Sequence, residues 1–497
     1  MLSARRLLST SCLLMAACLS GCGTRQPAPE PPSPIPPAEL GGALNRISWG
    51  LSTSNWQQAG KQGYLRYLDQ QLHPAPAVLP AEVQAQIAAM TIVQKPMAQL
   101  IAEMEQRRKD ADATADDTAK KAAQQAYQQE MSRLAREAAA RALLRALYSP
   151  NQLQEQMTWF WMNHFNVHQY KSNLRVMVGD YEDKAIRPYA LGKFRDLLAA
   201  TLRHPAMIRY LDNEQNAAGH INENYARELM ELHTLGVDGG YSQKDVQELA
   251  RILTGVGLKQ GSAFEFNPKR HDNGNKELLG QPVRAKGLAE VDEALDRLAR
   301  HPATARYISR KLVQYFVADE PRPALVDAMS AAFLKSGGDI AATLRVLFMS
   351  DEFRASLGHK FKDPMHYVVS SVRLAYDDKV ILNTGPMLNW LNRMGEPLYG
   401  RQTPDGYPLT QSGWASPGQM STRFEIAKAI GSGNAGLFKA EGPQPQEKAA
   451  FPQLSNALYF QALQQTLAPA TRGVLDQATS PQEWNTFLLS SPELMNR

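Results

Sequence analysis

From Pro80 to about Tyr148 the chain is built of Ala, Gln, Glu, Lys and Arg with Leu, Ile and Met recurring among them, a pattern that predicts long amphipathic helices. Within it, residues 109–122 (KDADATADDTAKKA) are polar nearly all round. That stretch is either a solvated helical extension or the turn of a helical hairpin, and its charges need no function. Helical periodicity recurs downstream: Val246, Leu249, Ala250 and Leu253 share one face behind a capping box at Ser242 and Asp245. Another helix is expected from His301, as its cap, through Lys311 to Phe316. Strand signals are few. The best is Ala263–Phe266, with an expected partner near Glu277–Leu279 across a polar, Gly-containing loop. The fold expected is mainly α, an extended multi-helix domain with at most a small β-hairpin. Residues 40–497 read as one helical domain, with two tightly packed lobes as the alternative, because about 450 residues exceed the usual domain size while no Pro/Gly/Ser linker divides them.

The N-terminus has a different composition. Arg5 and Arg6 precede an apolar run from about Leu7 to Leu19, the charge-then-apolar layout of a secretory signal, and the run is too short for a spanning helix. Leu19-Ser20-Gly21-Cys22 matches the lipobox of bacterial lipoproteins, so residues 1–21 are expected to be a signal peptide and Cys22 to carry the lipid. Residues 23–39 are proline-rich and poor in apolar side chains, which predicts an extended, hydrated tether behind Cys22. Gly23 stands where an inner-membrane retention signal places Asp; by resemblance to enterobacterial sorting this favours the periplasmic face of the outer membrane.

All three cysteines (Cys12, Cys18, Cys22) fall in or at the end of this signal, leaving none for a disulfide, a thiolate nucleophile or a cysteine metal site. The formal charge of +5 drops to +3 once Arg5 and Arg6 leave, too mild to argue for nucleic acid.

Three polar clusters carry candidate chemistry. In Asn222–Gly236, Asn224, Arg227, Glu228 and Glu231 fall at i, i+3, i+4 and i+7 and share a helical face. That face is either a solvated one with an Arg227–Glu231 pair, or a site where Glu228 and Glu231 share a divalent cation or divide acid and base work. Glycines after Leu235 are expected to end the helix and lead to the Ser242 cap. In the aromatic run Trp159–His168, a helix would place His164 and His168 at i and i+4. That spacing suits zinc, although Phe165 stands where a zinc protease carries glutamate, and an aromatic core with a hydrogen-bonded histidine fits equally. His271-Asp272-Asn273-Gly274-Asn275-Lys276 puts an imidazole, a carboxylate and an ammonium on one loop. Near the C-terminus, Thr403–Pro408 with Tyr407, and the loop at Trp414, either shape a substrate pocket or staple loops to the core.

Taken together, these segments resemble the bacterial DUF1800 family, a domain of unknown function. The matching stretches are Leu44-Asn45-Arg46 through Trp49-Gly50, Trp161–Phe165, Asn222–Gly240, Ala250–Gly255, His271-Asp272 through Leu279-Gly280, His301–Ala305, Asp405–Pro408 and Ser491-Pro492-Glu493. The resemblance covers nearly everything after the tether. This chain carries Val256 where usual members read tryptophan, and its charged insert around residues 105–125 is lengthened. The resemblance implies secretion and genomic company with a sulfatase-like family, and brings no established reaction.

Two functions follow as expectations. One is an envelope hydrolase acting on a glycan or similar polymer, with Glu228 and Glu231 as acid/base pair or cation ligands and His164, His271 and Asp272 converging on them. There Asn224 and Arg227 orient substrate, Lys276 stabilises negative charge, and Tyr407 and Trp414 line the approach. A metal, if bound, would sit on Glu228, Glu231, His271 and Asp272. The other is a non-catalytic envelope factor that binds or positions a partner protein, its polar clusters serving as structural networks.

Overall fold

The Ala- and Gln-rich stretch folds as a helical hairpin of α1 (Met97–Ala113) and α2 (Asp117–Tyr148). Asp116 accepts the Ala119 N–H at 2.7 Å and caps α2. The polar run at 109–122 is therefore the hairpin's turn and flanks. Met131, Leu134, Ala138, Leu143 and Leu147 in the later part of α2 are buried, so the helix enters the core as it proceeds. The computed structural model describes residues 34–377, 379–439 and 451–497; Cys22 and the tether before Pro34 lie outside the described residues.

Helix α3 (Gln152–His164) is buried on every side, all of its residues but Gln154 being inside. A helix so enclosed must have its polar side chains partnered. Its polar side chains are matched: the Gln152 amide oxygen accepts the Trp49 N–H at 3.1 Å, and the Gln156 amide donates to the Arg46 carbonyl at 3.2 Å. The helix stops at His164, so His168 lies in the following loop and the His164/His168 face expected from their spacing does not form. The cause is local. Asn166 donates its amide to the carbonyls of Arg401 and Thr403 at 3.0 and 2.8 Å, which draws the chain away from the helix axis.

Helices α4 (Asn224–Glu231) and α5 (Gln243–Ile252) pack together across a tight turn. Gly236 in that turn has φ +83, and a Cβ there would lie 2.8 Å from the ring of Tyr307, so the close approach requires glycine. The capping box forms as expected: Asp245 N–H donates to the Ser242 hydroxyl at 3.2 Å, and Ser242 N–H donates to Asp245 at 2.8 Å.

Two small antiparallel hairpins follow, β1 (Val256–Lys259) with β2 (Ala263–Phe266) and β3 (Glu277–Leu278) with β4 (Gln281–Pro282). Ala263–Phe266 is thus a strand, but its partner is the segment before it and not 277–279. The non-glycine residues Gln260 (φ 49) and Leu279 (φ 52) both adopt the left-handed conformation at the two turns, which closes each hairpin locally. Helices α6 (Leu288–Ala299) and α7 (Pro302–Phe316) come next, with His301 Nδ1 accepting the Ala303 N–H at 3.1 Å as the cap of α7. Helices α8 (Pro364–Tyr376), α9 (Pro417–Gly431) and α10 (Pro481–Ser490) lie toward the C-terminus. The fold is mainly α. Among the described residues no helix is long and apolar enough to cross a membrane.

Candidate functional site

Two distant segments meet at the C-terminal end of α3. The Asn163 side chain accepts the Tyr407 N–H at 2.5 Å and donates to the Tyr407 carbonyl at 3.0 Å. The Gly406 backbone lies so near that a Cβ would sit 2.2 Å from the Asn163 carbonyl oxygen, at φ +80. Only glycine fits there. This clamp fixes the loop that carries Asp405. Arg401 holds both Asp405 carboxylate oxygens, at 3.0 and 2.9 Å, and the Thr403 hydroxyl donates to one of them. Partial burial pushes the Asp405 carboxyl up, but the Thr403 and Arg401 hydrogen bonds outweigh it and hold the group below its ordinary value.

The next residue on α3, His164, is buried between two partners. Its Nε2–H donates to the His233 carbonyl at 3.0 Å, and its Nδ1 accepts from the Lys311 ammonium at 3.0 Å, so the ring is a neutral imidazole. Burial keeps its protonation well below the usual histidine range, and the Lys311 charge adds to the effect. Burial likewise pushes the Lys311 ammonium down to about 8, with Asp405 pulling the other way. Tyr307 stands one turn earlier on α7, with its ring centroid 5.6 Å from the Lys311 ammonium. Its hydroxyl is pushed up to about 12 by burial, then by Glu231 and Asp405.

On α4, Glu228 and Glu231 are both half-buried while Tyr225 and Leu229 face the core. Burial raises the Glu228 carboxyl; Glu231 and Asp405 raise it further, and Arg227 opposes them. Arg227 pairs with Glu223 at 3.0 Å and with the Gln243 amide at 3.0 Å, so the Arg227–Glu231 pair does not form. Asn224 donates to the Leu211 carbonyl at 3.1 Å and is engaged in holding the start of α4. Burial raises the hydroxyls of Tyr210 and Tyr241, and the carboxylates add to it, Glu228 and Asp405 at Tyr210 and Glu231 and Glu228 at Tyr241. One side of the site therefore presents three interacting carboxyls, ringed by Tyr210, Tyr241 and Tyr307 and backed by Lys311 on His164. Environments that set neighbouring carboxyls apart in acidity are suited to dividing acid and base roles.

The third sequence cluster is used elsewhere. His271 is buried, with Nδ1 2.8 Å from the Thr254 carbonyl and Nε2 3.4 Å from Glu290. The Lys276 ammonium pairs with the same Glu290 at 2.6 Å, both side chains almost fully inside. Asp272 accepts from Arg251 at 2.8 Å, and these hydrogen bonds hold its carboxyl down to about 2. His271, Asp272 and Lys276 thus pin the loop between β2 and β3 to α5 and α6, and none of them is among the groups that move Glu228. His164 meets the Asn222–Gly236 segment through the His233 carbonyl, and neither it nor the third cluster is among the groups that move Glu228. Tyr407 and Trp414 are also turned inward: the Tyr407 hydroxyl donates to the Pro397 carbonyl at 2.7 Å and the Trp414 indole to the Pro408 carbonyl at 2.9 Å. They staple the loops and do not line an approach. Among the described residues no three His, Cys, Asp or Glu side chains are gathered so as to hold a metal ion, so the donor set Glu228, Glu231, His271 and Asp272 is not assembled.

Residues 42–496 match the family model described as "Protein of unknown function (DUF1800)". The chain belongs to that family. No curated protein and no solved structure matches it. Three of the segments that carry the DUF1800 resemblance, Trp161–Phe165, Asn222–Gly240 and Asp405–Pro408, are those that meet at the carboxyl cluster. Lys311, Asp405, Tyr307, Tyr210 and Tyr241 were not singled out from the sequence as site residues. The available signals were the i, i+4 spacing of Tyr307 and Lys311 on α7 and the acid inside the Thr403–Pro408 loop.

Proposed function

We propose that this DUF1800 protein is an envelope-anchored hydrolase whose acid/base site is the Glu228–Glu231–Asp405 cluster, acting on a glycan or similar polymer. One observation carries the reading: Glu228 is raised by burial and by the neighbouring carboxylates of Glu231 and Asp405, and that same Asp405 acts on the buried Lys311 ammonium, whose own acidity is shifted. Glu228, the carboxyl raised above its ordinary value, is the group that donates a proton to the leaving group. Glu231 accepts a proton from the attacking water, and Lys311, positioned by His164, offsets negative charge as it develops. Arg227 orients an anionic substrate group. Both glutamates retain solvent contact, which suits a polymer lying across the site better than a small molecule enclosed in it. The lipid at Cys22 and the proline-rich tether would hold this site at the periplasmic face of the outer membrane, alongside a sulfatase-like protein.

A second reading rests on Ile221 and Val237, which flank α4 and are exposed at 39% and 68%. Exposed apolar side chains on both sides of a polar helix suit a partner-binding factor. Incubating the protein with isolated envelope polymers and counting new chain ends, with Glu228→Gln in parallel, separates the two. Hydrolysis that falls at least 10²-fold in a folded Glu228→Gln protein supports the enzyme; an unchanged rate in that variant sinks it.

A further inference from the structure

A cavity of about 520 Å³ lies among helix Leu40–Ile47, the segment 357–362, α8, and residues 462–468 and 493–496. That volume is in the range of small-molecule sites, roughly 300–1,000 Å³. Its walls are largely apolar, with Leu51, Leu357, Leu374, Leu463, Leu467 and Leu494 among them. One charge breaks the pattern. Lys362 is only 4% exposed. Its backbone is fully engaged, the N–H with the Met495 carbonyl at 2.9 Å and the carbonyl with Arg423 at 2.7 Å. Its ammonium has no hydrogen-bond acceptor and no carboxylate partner among the described residues, and it is not sealed off from open space.

The acids on the cavity wall do not serve it. Glu39 is bound to Arg354 at 2.7 and 2.8 Å, and Glu493 accepts from the Ala468 N–H at 2.8 Å and from the Thr471 hydroxyl. Asn45, also on the wall, makes no side-chain hydrogen bond among the described residues. Burial pushes the Lys362 ammonium down to about 7, with Arg423 and Arg497 adding to the effect. A desolvated, unpaired cation is costly, and an anion brought to it relieves that cost. A wholly apolar occupant would leave it unpaired.

We infer that this cavity binds an apolar-tailed monocarboxylate, with the carboxylate on Lys362 and Asn45 and the tail along the leucine walls. The site is separate from the Glu228 cluster and stands whether or not that cluster is catalytic.

Isothermal titration of the full chain with dodecanoate, below its micellar concentration, tests this, with dodecanol as the uncharged equivalent. Expected are saturable one-to-one binding of dodecanoate, at least tenfold weaker binding of dodecanol, and at least tenfold loss of dodecanoate affinity in Lys362→Met with dodecanol unaffected. Absence of saturable dodecanoate binding, or equal affinity in folded Lys362→Met, overturns the inference. If Lys362→Met does not fold, Leu374→Trp fills the cavity from another wall and must abolish dodecanoate binding; unchanged binding there overturns it equally.

Discussion

Replacing Asn163 with Ala removes both hydrogen bonds that it makes to the Tyr407 backbone, and with them its clamp on the Asp405 loop. Each bond contributes about 1 kcal/mol net, and a buried peptide group left unsatisfied costs roughly 1–3 kcal/mol, so the local loss is about 2–4 kcal/mol. The melting temperature is a poor reporter of it. Pro34–Arg497 packs as one unit, and at about 2 cal/mol/K per residue a body of that size unfolds with an entropy on the order of 1 kcal/mol/K, so the midpoint drops only about 2–4 °C. Local opening is far more sensitive: the same energy raises amide exchange across residues 401–408 by roughly 30- to 700-fold. Hydrogen exchange read by mass spectrometry on peptides spanning that loop, wild type beside Asn163→Ala, is the assay. Release of the loop also takes Asp405 away from Glu228 and Lys311, so the Glu228 carboxyl should move back toward its ordinary value and Lys311 should fall below about 8. Exchange within twofold of wild type in a folded variant would refute the clamp.

Two further outcomes follow from the networks around the site. Glu290→Ala strands Lys276 and His271 inside the protein and should cost about 3–5 kcal/mol in denaturant unfolding while leaving the Glu228 titration unchanged; a shift at Glu228 would contradict the separation of the two networks. Lys311 titrates at about 8 in the folded protein against about 10.4 in an unfolded chain, so the unfolded state holds its proton longer. The penalty of burying the charge is complete below pH 8 and lifts as pH rises to about 10.4. The stability of wild type relative to Lys311→Met should therefore climb across that window, and a flat difference contradicts the burial of the ammonium.

Much of the fold follows from periodicity. The α1–α2 hairpin, the Ser242–Asp245 capping box and the His301 cap are local features, fixed by residues two to four apart. The pairing of β2 was not legible in the same way, because Gln260 and Leu279 take left-handed conformations that their side chains do not advertise. Glu228 and Glu231 could be placed on one helical face from spacing alone. Their burial was not legible from spacing, nor was the further push on Glu228 from a residue more than 170 positions downstream, Asp405, held in place by Asn163 through a contact that spans 244 positions. The partners of His271 and Lys276 were equally hidden: Glu290 lies on α6, within what reads as an ordinary amphipathic helix, and its burial turns an apparent catalytic cluster into a structural one.

The most direct test of the Glu228 assignment is the carboxyl titration of that residue, followed by NMR on protein carrying carboxyl-labelled glutamate and assigned by the signal lost in Glu228→Gln. The expected result is a Glu228 carboxyl titrating above the ordinary glutamate value of 4.5, falling toward that value when Glu231 is changed to Gln. A Glu228 that titrates at or below 4.5 and does not respond to Glu231→Gln would contradict an acid/base role for the cluster.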